Sequence, residues 1–170
     1  MAKFIALVNG VPTEQQTATT GGAPDANKIP SLDGSGKFTM AMMPSGLGQE
    51  TKVLPAKGAI SANDTINIFN DGGIMKVRKA DAGANQYRAH GYVTAAYADA
   101  ANATVFLEGT CAGQTFVVGD AGKPVYLSNA TPGAVVITPV STAGHISQEV
   151  GIIISATEFT FSALTPFVLA

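Results

Sequence analysis

Gly34-Ser35-Gly36-Lys37 is the stretch of this 170-residue chain closest to a phosphate-binding loop, in which glycines let backbone amides cradle a polyphosphate and the lysine reaches its outer groups. The residue after the lysine is Phe38, where magnesium would need a Ser or Thr, and position 31 is Ser where the motif has its first glycine. Nucleotide binding is therefore not expected. A serine nucleophile needs a base, and the two histidines, His90 and His145, lie beside no Gly-x-Ser-x-Gly turn. Zinc would draw about four ligands from Cys and His, and Cys111 with the two histidines makes three scattered candidates. Asp64, Asp71 and Asp81 are too sparse for a calcium loop, which needs acids at alternate positions within a dozen residues or so. Sugar hydrolysis needs two convergent carboxylates, and there is no Trp to serve as a sugar platform. The expectation is a protein that is not an enzyme and uses no metal or cofactor.

One basic cluster stands out, Lys76-Val77-Arg78-Lys79 with Arg88 downstream. On a strand, Lys76 and Arg78 point to the same face, where they can meet phosphates, acidic side chains of a partner, or solvent. A sequence pI of about 5.6 and the lack of interleaved stacking aromatics argue against nucleic acid. A solvated hairpin face is favoured, with an acidic protein partner as the alternative. Asn63-Asp64-Thr65 and Asn102-Ala103-Thr104 match glycosylation acceptors, which have no role without secretion.

Ten bases against twelve acids give a net charge of −2, and only 13% of residues are charged, about half the usual share. With 46% hydrophobic residues the chain can build a core. No apolar run approaches the ~18–20 residues of a membrane-spanning helix. The run Phe4-Ile5-Ala6-Leu7-Val8 falls short of the roughly 7–15 residues of a signal-peptide core and is broken by Asn9-Gly10, so synthesis in a cytoplasm is expected. A lone Cys111 forms no internal disulfide. Low charge predicts self-association, because uncharged surface is kept from water by a partner. From Cys111 to Ala170 the charged residues are Lys123, Asp120, Glu149 and Glu158 alone.

The elements that would position any site fall into two textures. Residues 1–55 read as an extended N-terminal arm, since the stretch from Gln15 to Pro24 has an apolar period of neither 2 nor 3.6. Farther on, single apolar residues alternate with turn formers. Such a segment cannot build its own core, but it can lie on another protein with Ile29, Leu32, Phe38, Met40, Met42 and Met43 in separate pockets, or wrap its own domain. Residues 56–170 read as an antiparallel β-barrel or sandwich. The period-2 segments Asp64–Phe69 and Ile74–Arg78 flank Asn70-Asp71-Gly72-Gly73 and predict a hairpin. Further strands are expected at Tyr87–Ala95, Thr104–Leu107, Thr115–Val118, Val125–Ser128, Ala134–Thr138, Val150–Ser155, Phe159–Phe161 and Phe167–Leu169. The alanines of Thr94–Ala103 allow a short helix as a rival. The unbroken run Gly151–Ser155 predicts a strand covered on both faces, by a second sheet or by a neighbouring subunit.

Several blocks resemble the capsid cement, or head decoration, proteins of tailed bacteriophages. They are Lys28–Lys37 leading into Met43-Pro44-Ser45-Gly46-Leu47-Gly48, Gly58–Phe69, Val77–Ala82, Pro124–Ser128, Gly133–Pro139, Gln148–Ile152 and Phe159–Phe161, so the resemblance runs from about Lys28 to the end. It implies a β-rich structural virion protein on the outer face of an icosahedral shell, binding the major capsid protein and stabilising contacts between capsomers, with no catalytic residues. In that setting Ile29, Leu32, Phe38, Met40, Met42 and Met43 become the capsid contacts, and self-association becomes a homotrimer, with a dimer as the alternative. Neither nucleic acid nor membrane is an expected partner. The competing reading is a fibre or tail module that recognises the host surface, since β-rich phage adhesins share the same texture.

Overall fold

Asn9 and Gly10 take left-handed backbone angles, φ 51° and 79°, and close a two-residue turn of the kind that matches strand twist. They join β1 (Lys3–Val8) to β2 (Val11–Gln16) in an antiparallel hairpin with Val8 opposite Val11 and Lys3 opposite Gln16. Asn9-Gly10, which ends the apolar run within the expected arm, is thus a hairpin turn. In the computed structural model, which describes residues 3–18, 28–32, 34–39, 42 and 49–170, the chain divides into Met1–Gly48 and Gln49–Ala170. Beyond β2, the Ala18 N–H donates to the Ile29 carbonyl at 3.0 Å and the Ser31 N–H donates to the Ala18 carbonyl at 2.8 Å.

The second unit is mainly β, and its sheets pair antiparallel throughout. One sheet contains β3 (Thr51–Pro55), β4 (Thr65–Asp71), β5 (Ile74–Lys79), β6 (Gly91–Tyr92) and β7 (Asn102–Phe106), in the order β3-β7-β6-β4-β5. Residues 51–55, expected to be arm, are thus a strand, paired along their length with β7. The predicted hairpin is β4–β5, turning at Gly72 and Gly73, φ 65° and 94°, with the Gly73 N–H held by the Asn70 side chain at 2.6 Å. The remaining strands are β8 (Gly109–Ala112), β9 (Pro124–Leu127), β10 (Val135–Val136), β11 (Ile146–Ser147), β12 (Glu149–Ser155), β13 (Glu158–Phe161) and β14 (Phe167–Val168). They form a second five-stranded sheet, β10-β9-β12-β13-β8, and the small pair β11-β14. The sheets do not close into a barrel, so the sandwich arm of the sequence expectation holds.

Two apolar clusters hold this unit together. Ile66, Val77, Val93, Ala103 and Val105 pack inside the first sheet. Val125, Leu127, Ile146, Val150, Ile153, Phe159 and Phe161 belong to the second cluster. Tyr92 belongs to the second cluster although it lies on the first sheet: its ring stacks on Phe106 at 5.4 Å, meets Phe161 at 5.5 Å, and its hydroxyl donates to the Thr110 carbonyl at 2.9 Å. One aromatic therefore ties the two sheets, burying its body and satisfying its polar tip.

The rival short helix at Thr94–Ala103 does not form, because its backbone groups are spent on residues 56–60: Ile60 and Tyr97 exchange hydrogen bonds at 2.9 Å, and Ala56 and Ala100–Ala101 do likewise. Several local expectations are corrected. Thr115–Val118 is not a strand; it leads into a 3-10 turn at Val118–Asp120. Of Tyr87–Ala95 only Gly91–Tyr92 is strand, and Asn85–Tyr87 is a 3-10 turn. In β12 the run is not covered on both faces by this chain. Val150 and Ile153 are buried, whereas Ile152 and Ile154 are 48% and 49% exposed, because a register shift between Glu149 and Gly151 is followed by ordinary strand alternation.

Candidate functional site

The basic hairpin was one candidate surface, and its cations are engaged locally. Lys57 and Lys76 both reach the Asp71 carboxylate at 2.8 Å, and this pair of ammonium groups holds the carboxyl down at a pKa of about 2. Lys79 pairs with Asp64 at 2.9 Å. Arg78 is clamped, its guanidinium carbon 4.0 Å from the Phe69 ring centroid and 4.1 Å from that of Tyr87. Its Nε donates to Asn67 Oδ1 at 2.9 Å and its Nη2 to the Gln86 carbonyl at 3.2 Å. Phe69 comes from β4 and Tyr87 from the turn after β5, so the stacking aromatics missing from the local sequence arrive from elsewhere in the chain.

His90 is half-buried beside this cluster. The Ile68 backbone N–H reaches Nδ1 at 3.0 Å and Arg88 Nε reaches Nε2 at 3.2 Å. Donors at both ring nitrogens oppose the doubly protonated ring, and burial first, then the Arg88 charge, lower the pKa from 6.5. His145 sits by Asn129, with Nδ1 3.2 Å from Nδ2 of that amide. Neither imidazole has a Ser, Thr or Cys nucleophile as a hydrogen-bond partner among the described residues. Cys111 is buried, and desolvation pushes its thiol up to about 11. Asp120, nearly buried, accepts from Lys123 at 2.7 Å, and that bond lowers its pKa. No group of three or more His, Cys, Asp or Glu among the described residues is placed to hold a metal ion.

Two open grooves mark the second unit. The larger, about 590 Å³, is walled by Phe116, Val117, Val135, Ile137 and Val140, with Asp120 the charged residue in its lining. The other, about 530 Å³, lies between Arg88–His90 and the segment Ser162–Pro166. Both are grooves at the surface rather than enclosed pockets; the second is also lined by Glu108, Ser162 and Thr165, and neither hydroxyl is a hydrogen-bond partner of His90 among the described residues.

The apolar residues singled out along the N-terminal segment divide as follows. Ile29, Leu32 and Phe38 are 52%, 51% and 50% exposed. Met42 is half-buried, with its N–H donating to the Thr39 carbonyl at 3.0 Å. Met40 and Met43 lie outside the described residues. Phe38 and Thr39, the described residues directly after Lys37, are not helical.

Other exposed apolar groups escaped the sequence reading. Ile5 and Leu7 project from β1, Val117 lines the larger groove with Val118 next to it in the chain, and Leu164, Phe167 and Val168 mark the C-terminal segment. The period-2 signal was present in each strand, but which parity faces water is decided by packing and not by the pattern. No protein-family model, no curated protein and no solved structure matches this chain.

Proposed function

We propose that the protein is a structural virion component, a capsid cement protein that seats on the outer surface of an icosahedral phage head and stabilises contacts between capsomers. The major capsid protein is its partner, and it acts as a homo-oligomer, a trimer in preference to a dimer. The observation that carries this reading is the row Ile29, Leu32 and Phe38, each half exposed along a segment rich in turn formers. A monomeric soluble protein gains nothing from displaying three large apolar side chains in one short segment, whereas an arm that seats them in pockets does.

The energetics suit a clamp made of weak contacts. Full burial of an Ile, Leu or Phe side chain is worth about 1.5–3 kcal/mol, and half of that remains to be gained at each of these positions, so one arm gains about 2–4 kcal/mol. That corresponds to dissociation constants in the millimolar range or weaker. An oligomer carrying two or three such arms converts the later contacts into intramolecular ones, and the assembled shell, which alone presents all the sites at the right spacing, is stabilised by mass action. The exposed Ile152 and Ile154 on β12 support the oligomer, since they are the face that the continuous apolar run leaves for a neighbouring subunit.

Mixing the purified protein with undecorated capsids and pelleting them tests the reading. Co-sedimentation at micromolar protein, saturating at hundreds of copies per shell, is the expected result. A protein that stays in the supernatant at that concentration overturns it.

A further inference from the structure

Among the described residues, the two sheet edges of the N-terminal hairpin differ in what they offer a further strand. Around a two-residue turn, Val8 and Val11 exchange both backbone hydrogen bonds, and so do Ala6 with Thr13 and Phe4 with Gln15. Lys3, Ile5 and Leu7 on β1, and Pro12, Glu14 and Gln16 on β2, therefore turn their backbone groups outward. The β2 edge is the poorer template. Pro12 has no N–H to offer there, and Ala18, of the same parity two residues beyond the strand, has both backbone groups engaged by Ile29 and Ser31. On the β1 edge, no hydrogen bond from the described residues of this unit reaches the outward groups of Ile5 or Leu7. Both side chains are exposed as well, Ile5 at 68% and Leu7 at 74%. A two-stranded hairpin is marginal alone, and an open edge carrying aliphatic side chains is a template for another strand.

We infer that β1 pairs antiparallel with β1 of a second copy about a two-fold axis, giving a continuous four-stranded sheet in the order β2-β1-β1-β2. The side chains choose the register. With the axis at Ala6, Ile5 lies opposite the second copy's Leu7, and the same pair repeats across the axis. With the axis at Ile5, Lys3 would be set against Leu7, an ammonium against an aliphatic chain. The first register also places the two Lys3 charges at opposite ends of the new sheet, each still paired with its own Glu14. The charge on this edge, Lys3, is already paired with Glu14 of its own hairpin and does not select an acidic stranger, while the aliphatic row is matched by its own copy. The contact is independent of the capsid reading, because it forms between free molecules.

Ala6→Cys in the full chain places two thiols across the axis at a non-hydrogen-bonded pair, where backbones are about 4.5 Å apart and a disulfide fits. Gln15→Cys is the control, since its two copies would be separated by at least three strand spacings, more than about 14 Å. Under mild oxidation the Ala6→Cys dimer is expected to form at least about tenfold faster than the Gln15→Cys dimer, as local concentration dictates. The wild-type chain, whose Cys111 is buried, is expected to form none. The unsubstituted protein gives the second readout. Raising its concentration from about 1 to about 100 μM should slow amide exchange at Ile5 and Leu7 by mass action, while Ala6, bonded inside the hairpin, is protected throughout. Equal cross-linking of the two variants, or Ile5 and Leu7 amides indifferent to concentration, overturns the inference. Protection of those amides only on addition of capsids overturns it too, in favour of a strand supplied by the shell.

Discussion

Replacing Arg78 by Ala should cost the fold about 3 kcal/mol, and the structure says where the loss arises. The guanidinium carbon is 4.0 Å from one ring centroid and 4.1 Å from another, and each such contact is worth about 0.5–1 kcal/mol at a partly exposed site, so the two together contribute about 1–2 kcal/mol. Asn67, 1% exposed, receives the Arg78 Nε–H at its Oδ1, and its Nδ2 is already committed to the Arg88 carbonyl. Removing the donor leaves a buried acceptor unsatisfied at a further cost of about 1–3 kcal/mol, toward the low end if water enters the vacated space. Urea denaturation should register the sum, and thermal denaturation a fall of roughly 6–12 °C, given about 2–4 °C per kcal/mol for a chain of this size. Arg78→Lys keeps the charge but loses the planar fork that lies between two rings while donating sideways, so it should recover less than half of the loss. A loss below about 1 kcal/mol for Arg78→Ala, or full recovery by Lys, would refute the reasoning that this residue is an internal clamp. The outcome also bears on the basic patch, because a side chain held for an acidic partner would leave stability unchanged and weaken only binding.

Other consequences are open to direct measurement. Gly91→Ala would put a Cβ 2.6 Å from both the Phe106 carbonyl oxygen and Val105 Cγ1, and with backbone on one side unable to yield, chemical denaturation should show a loss of at least about 1–3 kcal/mol. The Asp71 carboxyl titrates at about 2 in the fold against 3.8 unperturbed, so its stabilising contribution is complete above about pH 4 and is lost as pH falls through 2. The stability gap between wild type and Asp71→Asn should therefore be present at neutral pH and close by about pH 2. His90, whose pKa is lowered in the fold, favours the native state above 6.5 and loses that contribution as pH falls through its folded value; NMR titration should place its midpoint below 6.5, and a midpoint at or above it contradicts the buried, donor-flanked geometry. Deleting residues 1–48 should leave a folded sandwich that no longer co-sediments with capsids. The cut belongs before Gln49 because Gln49 Nε2 donates to the Tyr92 hydroxyl at 3.4 Å and the Glu50 carbonyl accepts from the Leu107 N–H at 2.9 Å. Normal decoration by the truncated chain would remove the arm as anchor.

Strand character and turn position were written locally. The alternation through Thr65–Phe69 and Ile74–Arg78, with two glycines between them, specifies a hairpin whatever surrounds it, because period 2 and positive φ are properties of a few consecutive residues. The same kind of signal lay at Asn9-Gly10 between Val8 and Val11, and it makes the N-terminal hairpin legible once the pair is taken as a turn and not only as the end of an apolar run. The exposed Ile29, Leu32 and Phe38 were legible too, since isolated apolar residues among turn formers have no neighbours with which to build a core.

Tertiary structure decided whatever depends on residues far apart in the chain. Ile152, Ile153 and Ile154 are chemically identical, and only the register of β12 against β9 and β13 determines that the middle one is buried and its neighbours are not. Thr94–Ala103 has enough alanine for a helix, but residues 56–60 offer its backbone hydrogen bonds that no local propensity outweighs. Arg78 reads as surface charge until β4 and the turn after β5 bring Phe69 and Tyr87 to either side of it. A sequence fixes the repeat and the turns because these need only neighbours; it leaves open which face is inside and which charge is clamped, because those are settled by partners the chain meets only on folding.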